Sequence, residues 1–459
     1  MYYKTRIDPY KDVPLYARVV SSSFYIRNRH IVEELFYRSI QANIGEYSLF
    51  ELQKELLATL INVEQAREKC LHDKGLCRKG LKRLGQKGAP RERIKYVQDC
   101  LETIQDYIDA AEWIVRQLRS IGDSIAWRFL KYDRSALRLL AEHDYVQVPQ
   151  VGRGLSTEIE AIQYLREKGY SFIWNAITNF LRVGDVTIFD EENDKYWLME
   201  VKTSLRQTNK TRRQSEYRGF MQECLGSGLL DIKGVTITKQ ISDKPLLTYV
   251  KSVDSAITEA NNELVSSRLF GDYLSVGVFA LAKMLKECSE TERENLQDEI
   301  LRRCLSVVRK KDDITMPPMS NIFRMAHFIP NFAPYPIFPL DYDARLKLLT
   351  GDLFLISILN VSGLARWLIK RGWEVAIVDI HDSAPNHNEF EFRPFLKAFR
   401  NYGDYKKGAE IPLDAFSIAA VEFWMPESIE NSLSKVIELD SEAIFHIINF
   451  PNYGKCAWD

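Results

Sequence analysis

The chain lacks a net charge, a cysteine framework, a long apolar run and a phosphate-binding glycine loop, and each absence removes a class of protein. Its 62 Lys and Arg stand against 63 Asp and Glu, for a formal net charge of −1. No overall field draws it to nucleic acid, so any such binding has to come from local basic patches. The seven cysteines are scattered and include no Cys-x-x-Cys pair. That argues against a disulfide framework and a zinc ribbon and fits a reducing cytoplasm, the expected location. Cys70 and Cys77 stand too far apart for a typical zinc knuckle and read as ordinary thiols. No apolar h-region follows Met1, so no signal peptide is expected. The nearest approach to a membrane span, Leu353 to Ile369, is broken by Asn360, Ser362, Gly363 and Arg366, and no membrane partner is expected. There is no Gly-x-Gly-x-x-Gly or Walker-type loop, so no nucleotide is implied. Internal repeats and low-complexity tracts are also missing.

What is present is a well-packed globular composition, 46% apolar and 12% aromatic over 459 residues. That length exceeds one ordinary core and predicts two or three domains. Residues 1–150 read as a mostly helical N-terminal domain. Within it Ile94, Val97, Leu101, Ile104, Ile108, Ala111 and Val115 recur at three- and four-residue spacings, an amphipathic stripe. The preceding segment, residues 69–95, carries Lys69, Lys74, Arg78, Lys79, Lys82, Arg83, Lys87, Arg91, Arg93 and Lys95 against only Asp73 and Glu92. It reads either as a solvated helix and loop or as a phosphate-contacting arm.

After Pro149 the pattern becomes α/β. Ser156 is positioned to cap a helix running to Lys168, with Gly169 closing it. Short apolar runs follow at Val183–Phe189, Tyr196–Val201, Gly234–Thr238, Leu246–Val250 and Leu274–Leu281, with a basic helix expected over Asn209–Leu225. This places a second domain at 151–285. Residues 286–459 form a third, α/β in character and of unassigned role. It opens on a charged helix and a Pro-rich linker or docking segment, Pro317–Pro339. A strand–helix–strand unit follows: Leu353–Leu359, a helix capped by Ser362 and ended by Gly372, then Glu374–Ile380.

The chemistry concentrates at Gly184-Asp185 and Glu200-Val201-Lys202. Strand side chains alternate faces, so Glu200 and Lys202 project together while Val201 packs the other way with Met199 and Trp197. The polar turn Asp190-Glu191-Glu192-Asn193-Asp194 suits a hairpin. Folding the two runs antiparallel brings Asp185 beside Glu200, where two carboxylates can share a hard divalent cation and the Val201 carbonyl is a further candidate ligand. Lys202 would then orient or help deprotonate a water, or neutralise charge developing on a phosphate. Acidic-x-Lys is a weak pattern alone. Asp231-Ile232-Lys233 and Asp404-Tyr405-Lys406 share it without an upstream Gly-Asp strand.

Periodicity adds a third acid. Glu158 shares a stripe with Ala161, Ile162 and Leu165, whereas Glu160 aligns with Gln163, Tyr164 and Glu167 on the wetter side. An acid on an apolar stripe needs a reason. A metal site supplies one, and a favourable place at the helix N-terminus supplies another.

These residues resemble the PD-(D/E)xK nuclease superfamily, the fold of restriction endonucleases and Holliday-junction resolvases, over roughly residues 152–281. Glu158, Ala161, Leu165, Gly169 and Tyr170 look like the first helix of its Mrr-like and resolvase-like members. "VGDVTIF" and "WLMEVKTS" resemble its two metal-binding strands. The resemblance implies a restriction-endonuclease-like αβ core with a mixed sheet and Mg²⁺ as cofactor, with Mn²⁺ able to substitute. It makes Asp185 and Glu200 metal ligands beside Val201, Lys202 the catalytic lysine, and Glu158 an assisting carboxylate. Downstream, Arg206, Lys210, Arg212, Arg213, Gln214 and Arg218 form a candidate phosphate-gripping face, or simply a solvated helix. The Gln-x-x-x-Tyr pair of some members is not reproduced, because Gln214 and Tyr217 are three apart. Asp379, His381, Asp382 and His387 read as a strand end and loop and not as a second metal cluster, and His143 and His327 as incidental.

The expected function is Mg²⁺-dependent endonucleolytic cleavage of DNA, with target choice made elsewhere in the chain as in restriction or anti-phage defence. Two alternatives stand beside it. One is a non-catalytic nucleic-acid-binding or scaffold protein on the same fold. The other is a nuclease active only in a complex, with a protein partner on the N-terminal helices or C-terminal domain. Oligomers are compatible with all three.

Overall fold

The structure, a computed structural model, describes residues 9–86, 88–141, 153–190, 192–193, 195–201, 218–219, 222–223, 225, 229–232, 235–241, 244–308, 319–320, 333–377, 394–402, 405–438 and 444–449. It is a mixed α/β protein with a helical N-terminal region. Five helices open the chain: α1 (Pro9–Ser21), α2 (Ser23–Gln41), α3 (Tyr47–Gln86), α4 (Arg91–Phe129) and α5 (Arg134–Ala141). The side chain of Ser22 caps α2 by accepting the Phe24 N–H at 3.3 Å.

Helices α3 and α4, 40 and 39 residues long, pack on each other as a hairpin, and each measures about 60 Å at 1.5 Å per residue. Their buried residues are confined to one end, Leu49–Val63 in α3 and Ile108–Phe129 in α4. The rest of both helices contains no buried residue and forms a two-helix arm.

Helix α6 (Arg153–Glu167) begins before the expected cap, so Ser156 lies inside it. It ends as predicted at Gly169, whose φ of +78° lets the Tyr170 N–H reach back to the Leu165 carbonyl at 3.1 Å. The strands β1 (Ser171–Trp174), β2 (Val186–Asp190) and β3 (Lys195–Met199) form an antiparallel sheet in that order, with Trp174 opposite Val186 and Val186 opposite Met199. Asp190 fixes the hairpin, its carboxylate accepting the Asn193 backbone N–H at 3.2 Å and side-chain amide at 2.8 Å.

A single glutamine amide clasps each edge of this sheet. On the β1 edge Gln53 of α3 donates to the Phe172 carbonyl at 3.1 Å and accepts from the Trp174 N–H at 2.9 Å. On the β3 edge Gln222 accepts from the Leu198 N–H at 2.9 Å and donates to the Tyr196 carbonyl. Each side chain thus answers edge groups that a further strand would otherwise pair.

The remaining elements are β4 (Leu229–Ile232), β5 (Val235–Ile241), α7 (Val250–Glu263), β6 (Val265–Phe270), β7 (Leu274–Phe279), α8 (Leu281–Glu287), α9 (Glu290–Leu305) and β8 (Met319–Ser320). They continue with α10 (Tyr342–Thr350), β9 (Phe354–Leu359), α11 (Val361–Lys370), β10 (Glu374–Ile377), β11 (Pro394–Tyr402), β12 (Tyr405–Pro412), α12 (Leu413–Val421), α13 (Pro426–Glu438) and β13 (Ile444–Asn449). Strands β6-β7-β9-β8 and β10-β11-β12 make two more antiparallel sheets, and β13 joins β5-β4 by pairing parallel to β5.

Three sequence expectations change. Leu246–Val250 is not a strand: only Thr248 makes an isolated bridge, to Trp424, and Val250 starts α7. Around 353–377 the strand, helix and strand form as expected, but β9 and β10 belong to different sheets. Asn360, not Ser362, caps the helix by accepting the Gly363 N–H at 3.0 Å. The described end of the Pro-rich segment is not an exposed linker, since Ala333, Tyr335, Ile337 and Phe338 are buried. The core is continuous from Tyr16 to Ile437. Among the described residues no helix is long and apolar enough to cross a membrane, and Cys70, Cys77, Cys100, Cys288 and Cys304 are free thiols.

Candidate active site

The ends of β2 and β3 are locked together by Asp185. Its backbone N–H donates to the Met199 carbonyl at 2.8 Å, and its Oδ2 accepts the Val201 N–H at 2.6 Å. The side chain and main chain of one acid therefore hold the strand that carries Glu200 and Val201. Continuing the Val186–Met199 register by one pair sets Asp185 opposite Glu200, on one face of the sheet.

Gly184 makes this closure possible. Its φ is +77°, and a Cβ there would lie 2.7 Å from the Met199 carbonyl oxygen. Only glycine adopts that conformation cheaply with a neighbouring backbone so near. Asn175 holds the turn from the other side. Its side-chain amide donates to the Val183 and Gly184 carbonyls at 2.9 and 3.1 Å, while its carbonyl oxygen accepts from the Thr187 hydroxyl at 2.9 Å.

Glu158 stands on α6 with Ile162 and Leu165, both buried, and is itself half-buried, while Glu160, Gln163, Tyr164 and Glu167 are exposed. It accepts a long hydrogen bond, 3.4 Å, from the Trp174 indole. Burial pushes its carboxyl up to about 7, the nearby charge of Asp185 adds to the rise, and the indole N–H opposes it. Glu158 and Asp185 are thus electrostatic neighbours although 27 positions separate them. Arg218 brings its guanidinium to 4.0 Å from the Glu200 carboxylate, and Gln222, close to it in the sequence, bonds to β3.

Glu158, Asp185, Glu200, Val201 and Arg218 therefore gather around the ends of β2 and β3. Lys202, Arg206, Lys210, Arg212, Arg213 and Gln214 lie outside the described residues, as do His143, His327 and the segment holding Asp379, His381, Asp382 and His387. On β3, Trp197 is 48% exposed, while Leu198, on the side of Glu200, is buried.

Sequence reading missed Trp174, Asn175, Gln53 and Gln222. None has a local signal, because each acts through a main-chain or side-chain partner fixed only by the fold. Asp123 of α4 was also missed. Its carboxylate accepts the Asn179 backbone N–H and side-chain amide, both at 2.7 Å, and burial pushes its carboxyl up to about 7 against those hydrogen bonds.

The donor atoms at the site are carboxylate and main-chain oxygens, the set preferred by a hard cation. Among the described residues no three or more His, Cys, Asp and Glu side chains group to hold a metal ion. Asp185 and Glu200 offer two carboxylates, which fits Mg²⁺, a cation that keeps several waters and binds through one or two acids. Comparison of the chain with protein-family models, curated proteins and solved structures finds no match.

Proposed function

We propose that this protein is a Mg²⁺-dependent DNA endonuclease built on a restriction-endonuclease-like core, with its site at the ends of β2 and β3. The observation that carries the reading is the clamp by which Asp185 holds the strand carrying Glu200 and Val201, with a half-buried Glu158 near enough to feel the charge of Asp185. A protein gains nothing in stability from a poorly compensated buried acid beside a second one, so such a pair marks a functional site.

Asp185 and Glu200, with the Val201 carbonyl, would hold the cation, and Mn²⁺ would serve in its place. When bound, it supplies an activated water and neutralises phosphate charge. The residues divide the remaining work. Asp185 fixes the geometry, because its carboxylate is pinned by the Val201 N–H. Glu158, with a carboxyl near neutrality, is suited to take a proton from a water at its carboxylate oxygen. Lys202, two residues beyond Glu200, would offset negative charge growing on the phosphate. Arg218 stands beside Glu200 as one of the basic residues that would meet the backbone. A role in restriction or anti-phage defence fits a cleavage centre embedded in a much larger chain.

The test is a gel assay of plasmid, linear, single-stranded and branched DNA with Mg²⁺ or Mn²⁺, wild type beside Glu200→Ala. Cleavage by wild type, lost with chelator and in the variant, is expected. Equal cleavage by both proteins removes Glu200 from the site.

One observation favours the non-catalytic alternative: the Arg218 guanidinium near Glu200 can take the place of a cation. Thermal melting separates the two readings. A site built for Mg²⁺ raises the midpoint as metal is added, with Asp185→Ala abolishing the rise, whereas a site closed by Arg218 gives no metal-dependent shift.

A further inference from the structure

We propose that the arm formed by the distal halves of α3 and α4 is a grip for the phosphate backbone of duplex DNA. The choice of DNA rests on the nuclease reading above. The grip itself rests on the arm.

Half-buried apolar residues of the arm recur at three-, four- and seven-residue spacings, Cys70, Cys77, Leu81 and Leu84 on α3 and Ile94, Val97, Leu101 and Ile104 on α4. The two helices thus spend their apolar stripes on each other. Lys74 reaches across to Gln105, and most of the other basic residues turn outward. Lys69, Arg78, Lys79, Lys82, Arg83, Arg91, Arg93 and Lys95 are exposed, and none forms an ion pair with another described residue. Residues 69–95 hold ten Lys and Arg against two acids, a charge of +8. The chain as a whole is −1, so the remainder carries −9. The tip of the arm thus carries a net positive excess that the rest of the chain offsets.

The distribution of that charge selects the occupant. At 3.6 residues per turn, Lys69, Arg78, Lys79, Lys82 and Arg83 fan over the half of the helix circumference opposite its apolar stripe. An interfacial membrane helix needs a continuous apolar face opposite its charges. Here that face is taken up by the partner helix, and the exposed Leu71 and Leu76 point to different sides. The tip of the arm, residues 69–95 with ten cations against two acids, fits rows of phosphates, which are read by charge without regard to sequence.

The arm is also anchored on the site sheet. Gln53 of α3 bonds to both Phe172 and Trp174 of β1, and Asp123 of α4 holds Asn179 in the turn after it. Gly122 of α4 lies so close to the Ile177 carbonyl that a Cβ would clash with it. Counting from Gln53, Lys69 is 16 residues and Gln86 is 33 residues along the helix, or about 24 and 50 Å. DNA held there would be held at a fixed distance from the root that supports the site.

The experiment is a salt-dependent anisotropy titration of the full-length protein on duplexes of about 30 base pairs, with metal chelated, from roughly 50 to 200 mM salt. Arg78, Lys79, Lys82 and Arg83 are replaced together by Gln, which keeps helix propensity near that of Lys and Arg, and far-UV circular dichroism confirms the fold. A control variant replaces Lys251, Lys286, Arg302 and Lys370, exposed bases elsewhere. The arm variant is expected to bind at least about tenfold more weakly on every sequence, with its salt slope reduced by about 3. The control variant should bind like wild type. An arm variant with wild-type affinity and slope overturns the grip, as does an equal loss in the control. So does arm-dependent binding to phosphatidylserine vesicles with DNA binding untouched. Because binding is read without metal, the outcomes separate. Unchanged binding by the arm variant with Asp185-dependent cleavage sinks the grip alone. Arm-dependent binding with no cleavage sinks the nuclease alone.

Discussion

Acids wholly or partly withdrawn from water are treated differently in two parts of the molecule. Where the N-terminal helices meet the C-terminal half, each acid is answered. Asp352, 9% exposed, receives the Arg29 guanidinium at 2.5 and 3.1 Å and the Tyr16 hydroxyl at 2.7 Å. Glu422, 1% exposed, receives Arg134 at 2.5 Å, the Ala333 N–H at 3.0 Å and the Trp424 indole at 3.1 Å. At the end of the site sheet Glu158 has one indole hydrogen bond at 3.4 Å and an acid for a neighbour. Both arrangements cost desolvation, and only the first offsets it with cations and donors. The first arrangement belongs to the fold, and the second makes physical sense when a charge from outside completes it.

The contrast is sharpest on removal of an acid. Glu422→Ala strands Arg134, whose side chain is 5% exposed; urea denaturation should show a loss of about 3–5 kcal/mol. Asp123 gives the next effect. Its folded carboxyl, pushed up to about 7, keeps a proton that the unfolded chain releases near pH 4. The stability this supplies is complete below the unfolded value and is lost as pH rises through the folded one. Asp123→Asn should flatten the fall in stability between about pH 4 and 7, by up to about 4 kcal/mol. Gly184→Ala places a methyl group against the Met199 carbonyl at positive φ, and should cost about 1–3 kcal/mol of stability while lowering cleavage. The smallest change in stability belongs to Glu158→Gln, within about 1 kcal/mol of wild type and with cleavage reduced. If Glu158→Gln destabilises as much as Glu422→Ala, the distinction between the two regions disappears.

Local pattern made much of this legible. The helical N-terminal region, the β2–β3 hairpin and the inward stripe of Glu158 follow from periods of 3.6 and 2.0 and from turn chemistry, because they depend on neighbours in sequence. The break at 246–250 was hidden since a short apolar run reads alike as a strand or as the lead into a helix. Ser362 concealed Asn360 because both suit a helix N-terminus, and only geometry shows which side chain reaches Gly363. Gln53, Asn175 and Gln222 were invisible for a different reason. Glutamine and asparagine carry no periodic signal, and Gln53 meets its strand 121 positions away. The extent of the arm was half visible. Its charge was plain, but that the core stops at Val63 and resumes at Ile108 is a property of packing.

Asp185, Glu200 and Lys202 are proposed to act as one metal-dependent hydrolytic site. The most direct measurement is plasmid cleavage by purified protein with Mg²⁺, comparing wild type with Asp185→Ala and Lys202→Ala at matched concentration and verified fold. Wild-type cleavage that both substitutions reduce by roughly 10³-fold or more, and that chelator abolishes, is the predicted result. Equal, metal-independent cleavage by all three proteins contradicts the account.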